Sequence, residues 1–251
     1  RKALEDRRQM SARYTIADVR ASYSAEKARE EWQGDWMSAL LYRPLSFLLT
    51  PPLLNLSVSA SQVTVFSLLM SFALPFVALK AGHTAHLTVA MLAILFVILD
   101  CVDGNIARVT KTASKSGHYL DFLTDIVFRI GLYAAVGILA DREAGSLAWM
   151  DGQGLALGLL AALISIVGRL SRVFTRQLSP GDVYDAPEGQ GFIDRFALPA
   201  LSGLDRLLPL LVLGADWWGG LRWVILWLLA YSAADCAYTQ YAVFRRLGAA
   251  S

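Results

Sequence analysis

Residues 100–125 read DCVDGNIARVTKTASKSGHYLDFLTD. The apolar run AMLAILFVIL at 90–99 leads directly into Asp100, and IVFRIGLYAAVGILA at 126–140 follows directly after Asp125. Asp100, Asp103, Asp121 and Asp125 therefore sit at the ends of two segments apolar enough to cross a bilayer. A carboxylate inside such a span costs roughly 2.5–3.5 kcal/mol by insertion scales. Four of them require pairing, solvation or a bound metal. Asp100 and Asp103 are three residues apart and Asp121 and Asp125 four apart, so each pair shares one helical face. The short turn between Val109 and Ser116 predicts antiparallel neighbouring helices. At about 1.5 Å per residue, Asp100 and Asp125 both lie about 12 Å from that turn. All four carboxylates are thus expected to converge at one depth, in the cytoplasmic third of the membrane.

A convergent set of carboxylates suits hard, oxygen-preferring cations such as Mg²⁺ or Mn²⁺. Two such ions can clamp a diphosphate and stabilise attacking and leaving oxygens together. Gly104 and Ala107 lack bulk and let a ligand approach the backbone, and Arg108 offers a forked donor to phosphate. The residues alone also permit an ion or proton pathway, or a charge network between helices. Cys101 and Cys236 fall in apolar stretches without zinc-ligand spacing and read as buried small hydrophobes.

The rest of the chain fits a membrane setting. Of 251 residues 55% are hydrophobic and only 18% charged, against about a quarter charged in soluble domains. The expected class is all-α, with a cytoplasmic or interfacial segment at 1–50 and a membrane domain at 51–251. Within 24–49, Trp32, Trp36, Leu40 and Leu41 recur at helical spacing opposite Lys27, Arg29, Glu30 and Asp35. This predicts an amphipathic juxtamembrane helix, lying in the interface or packed on the protein's own cytoplasmic end. Pro44, Pro51 and Pro52 are expected to break it. Six spans follow, at about 63–79, 87–108, 117–140, 155–174, 196–213 and 221–244. The fifth, containing Asp205 and Arg206, carries the weakest signal.

Charge distribution orients these spans. Net charge is +2, too small to suggest nucleic acid. Positive residues crowd the first 43 positions, the 108–115 turn (Arg108, Lys111, Lys115), the end of the fourth span and the carboxyl tail. The opposite loops hold only Lys80, Arg142 and Arg222. Both termini and the carboxylate end are therefore expected in the cytoplasm, and a prokaryotic plasma membrane is the expected location.

The 100–125 segment resembles the signature of the CDP-alcohol phosphotransferase (CDP-alcohol phosphatidyltransferase) family, D-x2-D-G-x2-A-R-x8-G-x3-D-x3-D. Asp100, Asp103, Gly104, Ala107, Arg108, Gly117, Asp121 and Asp125 fill every fixed position. The resemblance implies a six-span homodimeric enzyme that transfers a phosphoalcohol from a CDP-alcohol to a hydroxyl and releases CMP. It implies that Asp100, Asp103, Asp121 and Asp125 hold two Mg²⁺ or Mn²⁺ ions, with Asp125 also the general base. It places Asp100, Gly104, Ala107, Arg108 and Gly117 around the nucleotide. Where relatives carry T-P-N-x-x-T, this chain has Ser59-Ala60-Ser61-Gln62-Val63-Thr64, so Ser61 and Thr64 are the corresponding nucleotide candidates.

Candidates for an acceptor or phosphate site come from later positions. Arg129 lies one turn beyond Asp125, and Arg169, Arg172 and Arg176 form a basic stripe ending the fourth span. Asp194-Arg195 loosely resembles an acidic-Arg element of the family. A Gly-rich segment, Gly181 to Gly191, reads as a cytoplasmic connector. Two donor directions stay open: CDP-diacylglycerol with a soluble alcohol, or a soluble CDP-alcohol with a lipid hydroxyl. The first is favoured by the arginines. The alternatives of another class are a carboxylate-based ion or proton transporter and a noncatalytic membrane scaffold.

Overall fold

A computed structural model describes residues 13–80, 82–143, 147–178, 203–215, 217 and 219–249. Among them there is no strand. The order is α1 (Ile16–Ala21), α2 (Ala25–Gly34), a π-helical turn (Ser38–Tyr42), α3 (Arg43–Asn55), α4 (Ala60–Lys80), α5 (Ala85–Val109), α6 (Lys115–Arg142), α7 (Gly154–Leu178), α8 (Leu208–Ala215) and α9 (Leu221–Ala249). Among the described residues, four helices are long and apolar enough to cross a membrane: Ala60–Lys80, Ala85–Val109, Lys115–Arg142 and Gly154–Phe174. They coincide with the first four expected spans.

The described residues between α7 and α9 are less regular than expected. Residues 196–202 of the fifth expected span lie outside the described residues. Its remainder is a 3-10 turn, Leu204–Leu207, leading into the short α8. α9 occupies the sixth position, with Arg222 and Asp235 within its apolar stretch.

The amino-terminal segment differs too. The single helix expected over 24–49 is divided. α2 stops at Gly34, and Asp35 adopts φ −158°, ψ 62°. Its carboxylate then accepts the Ser38 N–H at 3.1 Å, which starts the next turn. The prolines do not end this segment: Pro44 occupies the first turn of α3, where a missing N–H is tolerated, and Pro51 and Pro52 lie inside it. Val19 and Tyr42 are fully buried, so the segment packs on the protein's own end.

Small residues set how closely the spans approach. α4 packs against both α5 and α6, more extensively than those two pack on each other. Thus the helices carrying the signature are joined through α4 as well as through their turn. Gly131 of α6 lies against the Ser71 carbonyl, and Gly158 of α7 against the Tyr133 carbonyl. Gly137 and Gly154 pack on each other's backbones. A β-carbon at these crossings would meet main chain rather than a movable side-chain end.

At the end away from the signature, Arg222 is 3% exposed. It donates to the carbonyls of Leu147 at 3.1 Å and Glu143 at 2.5 Å, and pairs with Asp151 at 2.5 Å. Asp141 receives the Gly154 and Leu155 N–H groups that open α7, at 2.6 and 3.1 Å.

Gly158→Ala should therefore destabilise the protein by about 1–3 kcal/mol, because neither helix can yield backbone at the contact. Thermal unfolding in detergent micelles should show a lowered midpoint. Gly34→Ala, with open space around the added carbon, should leave it unchanged.

Candidate active site

The turn between α5 and α6 places the carboxylates. Val109 ends α5, Lys111 takes a left-handed φ of 55°, and Ser114 caps α6 by accepting the Gly117 N–H at 3.1 Å. Gly117 thus belongs to the cap, where a β-carbon would sit 3.2 Å from the Ser114 hydroxyl. Beyond the turn, Asp100 and Asp103 on α5 approach Asp121 and Asp125 on α6.

The partners of these carboxylates are specific. Asp103 is buried and accepts the Thr64 hydroxyl of α4 at 2.7 Å. Asp125 pairs with Arg169 of α7. A second guanidinium, Arg206, stands 3.5 Å from Asp100 and 3.9 Å from Asp125, joining the two halves of the signature. Arg206 also lies 3.3 Å from Asp35, at the end of α2. Its carbonyl accepts the Tyr42 hydroxyl at 2.8 Å. Burial pushes that hydroxyl up to about 12, so it stays a donor at neutral pH.

The expected acceptor residues separate into different tasks. Arg129 reaches Asp205 at 2.9 Å and donates to the Tyr133 and Ser165 hydroxyls at 3.3 and 3.2 Å. Its Nε is buried without a hydrogen bond. Asp125, Arg129, Tyr133, Asp205 and Arg206 together line a small cavity. Arg169 reaches the carboxylates, whereas Arg172 turns to Asp235 and Thr239 of α9, at 3.0 and 2.7 Å. The basic stripe is therefore split between two partners. The side chain of Arg176, the Asp194-Arg195 pair and the Gly181–Gly191 connector lie outside the described residues.

The nucleotide candidates lie near the turn that joins α5 and α6. Ser61 is exposed on the first turn of α4, and Ala107 is half-buried on the last turns of α5. Gly104 leaves room for Arg108 to fold back, because a β-carbon there would come within 3.3 Å of its guanidinium. Arg108 lies 5.9 Å from the Tyr23 ring and donates to Asn105 at 2.7 Å.

Asn105 was not among the predicted site residues, since it occupies a variable position of the signature. It is fully buried, and all four of its side-chain hydrogen-bonding positions are used. Its Oδ1 accepts from Arg43 at 3.1 Å and Arg108 at 2.7 Å. Its Nδ2 donates to Ser46 at 3.0 Å and Thr50 at 3.1 Å. Arg43 also donates to the Cys101 carbonyl at 3.0 Å and pairs with Glu31 of α2. The Tyr23 hydroxyl donates to Glu31 at 2.6 Å, and burial together with that carboxylate raises its pKa. These contacts bind the amino-terminal segment to the signature helix.

Four aspartates from two helices are the hard oxygen donors a Mg²⁺ or Mn²⁺ ion prefers. Their chemistry fits such an ion. Among the described residues, however, no three Asp, Glu, His or Cys side chains form a closed metal cage. Arg206, Arg169 and Thr64 take up carboxylate oxygens instead, supplying positive charge and hydrogen bonds from the protein itself.

Comparison with known proteins agrees with the signature. A family profile described as CDP-alcohol phosphatidyltransferase matches residues 57–234. The CDP-diacylglycerol–serine O-phosphatidyltransferase of Mycobacterium leprae (strain TN) is 28% identical over 183 residues, 71% of this chain. The chain spans 56% of that relative's length.

Asn105→Leu keeps the volume but strands the Arg43 and Arg108 donors. It should cost at least about 2 kcal/mol, since unsatisfied buried groups cost about 1–3 kcal/mol each. Thermal unfolding of the purified variant should show the loss.

Proposed function

The chain belongs to the CDP-alcohol phosphatidyltransferase family, and from that membership we propose that it moves a phosphatidyl group from CDP-diacylglycerol to a small soluble alcohol. Serine is the first acceptor to test, because the matched relative is named for it. The observation that carries this reading is the meeting of Asp100 and Asp125 at one guanidinium, which brings both halves of the signature to one site. The adjoining cavity has both signs of charge, from Arg129 and Arg206 and from Asp125 and Asp205, as a zwitterionic acceptor requires.

In this reading Asp100, Asp103, Asp121 and Asp125 hold Mg²⁺ or Mn²⁺, with two ions expected. The bound metal supplies charge neutralisation at the diphosphate. Asp125 takes the acceptor's hydroxyl proton. The acceptor oxygen forms a bond to the phosphorus carrying the lipid alcohol, and the bond from that phosphorus to the bridging oxygen breaks. CMP leaves with the electron pair. Arg169 orients Asp125, and Thr64 orients Asp103. Gly104, Ala107, Arg108, Gly117 and Ser61 are assigned to the nucleotide side, where the site meets the cytoplasm.

The proposed setting is a six-span homodimer in a prokaryotic plasma membrane, with both termini and the site cytoplasmic. Apolar helices, loop charges and the family's architecture support it. Arg129, Arg172 and Arg195 remain proposed acceptor-side residues. Arg172 would act through α9, given its pairing with Asp235.

CMP release from CDP-diacylglycerol should require Mg²⁺ or Mn²⁺ and one of serine, glycerol phosphate or inositol phosphate. Asp125→Asn should lower the rate by about 10²–10⁴-fold. Activity unaffected by that substitution would refute the assignment. CMP released only from a soluble CDP-alcohol and a lipid hydroxyl would reverse the donor direction.

A further inference from the structure

Arg206 has one positive charge and, among the described residues, ion pairs with carboxylates from three separate parts of the chain. Asp35 comes from the amino-terminal segment, Asp100 from α5 and Asp125 from α6, at 3.3, 3.5 and 3.9 Å. Its side chain is only 14% exposed, so solvent offers little alternative. The residue is held in place from behind. Tyr42 donates to its carbonyl, and its N–H donates to the Gly203 carbonyl at 3.1 Å. Gly203, at φ 89°, turns so closely against Asp35 and Trp36 that a β-carbon would lie 3.2 Å from each. Asp35 is itself fixed by ending α2 and accepting the Ser38 N–H.

We infer that Arg206 is a built-in counter-cation of the carboxylate site, shared with Asp35, so that the amino-terminal segment sets how tightly the site takes a divalent cation. The inference rests on the reading that the signature aspartates bind such a cation. A guanidinium and a metal ion compete for the same oxygens of Asp100 and Asp125. Asp35 draws Arg206 toward the amino-terminal side and leaves those oxygens more available. Arg169 does not substitute for this link, because the carboxylate it pairs with among the described residues is Asp125 of α6, and it makes no ion pair there with Asp35 or Asp100. Asp35 and Asp100 also line one cavity beneath α2, so a cation reaching Asp100 from that side passes the Asp35 carboxylate. Asp35 and Tyr42 both precede the segment matched by the family profile, which begins at residue 57. The device is therefore attached to the signature from outside it.

Coupling of this kind has a sign that a purely structural contact lacks. Arg206→Gln removes the competitor and should tighten Mn²⁺ binding about fivefold or more, the lower end of typical coupling between sites. Asp35→Asn leaves Arg206 wholly to Asp100 and Asp125 and should weaken Mn²⁺ binding by a similar factor. Arg206→Lys keeps the charge and should bind more weakly than Arg206→Gln. The measurement is calorimetric titration of the full chain with MnCl₂ in detergent, without nucleotide, on samples whose unfolding midpoints are recorded. Tighter binding in Arg206→Gln with weaker binding in Asp35→Asn supports the inference. Unchanged affinity in both, or weakening in both with lowered midpoints, overturns it. If Arg206→Gln does not fold, Asp35→Asn decides, and affinity equal to or above that of the parent overturns the inference. Absence of Mn²⁺ binding in the parent chain overturns the cation reading itself, a result distinct from binding that ignores both substitutions.

Discussion

Negative charge concentrated between apolar helices has to be neutralised where it sits. Asp100, Asp103, Asp121 and Asp125 cannot all remain charged and unpaired at the edge of a bilayer. The fold answers with groups from every side. Thr64 comes from α4, Arg169 from α7, and Arg206 from the turn before α8. Three elements beyond the signature helices thus have a task that the carboxylates impose. The close glycine crossings of α6 with α4 and α7 keep the helix bearing Asp125 near the elements that supply its partners.

The same constraint gives the amino-terminal segment its place. Glu31 neutralises Arg43, which in turn reaches Asn105 and the Cys101 carbonyl within the signature helix. Asp35 shares Arg206 with Asp100 and Asp125. Two ion pairs, from Glu31 and from the Asp35 cap, therefore fasten α2 beside the signature end of α5. Of the two placements its pattern allows, in the interface or packed on the protein's own end, these contacts favour the second. Trp32 and Leu40 of the same segment stay exposed.

The first four spans were legible because long apolar runs and helical spacing depend only on local sequence. The signature was legible for a related reason: its eight fixed positions lie within one short stretch. What could not be read were partners distant in sequence. Arg206 registered only as an impurity in a weak span, yet it meets residues 35, 100 and 125. Asn105 sits at a variable position between Gly104 and Ala107, and nothing local marks its four partners. Arg169 and Arg172, three residues apart, suggested one stripe. Asp125 and Asp235 divide them because those carboxylates lie on different neighbouring helices. The continuous helix expected over 24–49 failed at Asp35, whose carboxylate restarts the chain by capping Ser38. Apolar periodicity does not register such a side-chain bond.

We propose that the signature aspartates form a divalent-cation site whose place is kept by arginines. Anomalous diffraction from crystals grown with Mn²⁺ tests it most directly. Anomalous density should appear among Asp100, Asp103, Asp121 and Asp125, with Arg206 withdrawn from Asp125 toward Asp35. Anomalous density elsewhere, or none at saturating Mn²⁺ with Arg206 still between Asp100 and Asp125, would contradict it.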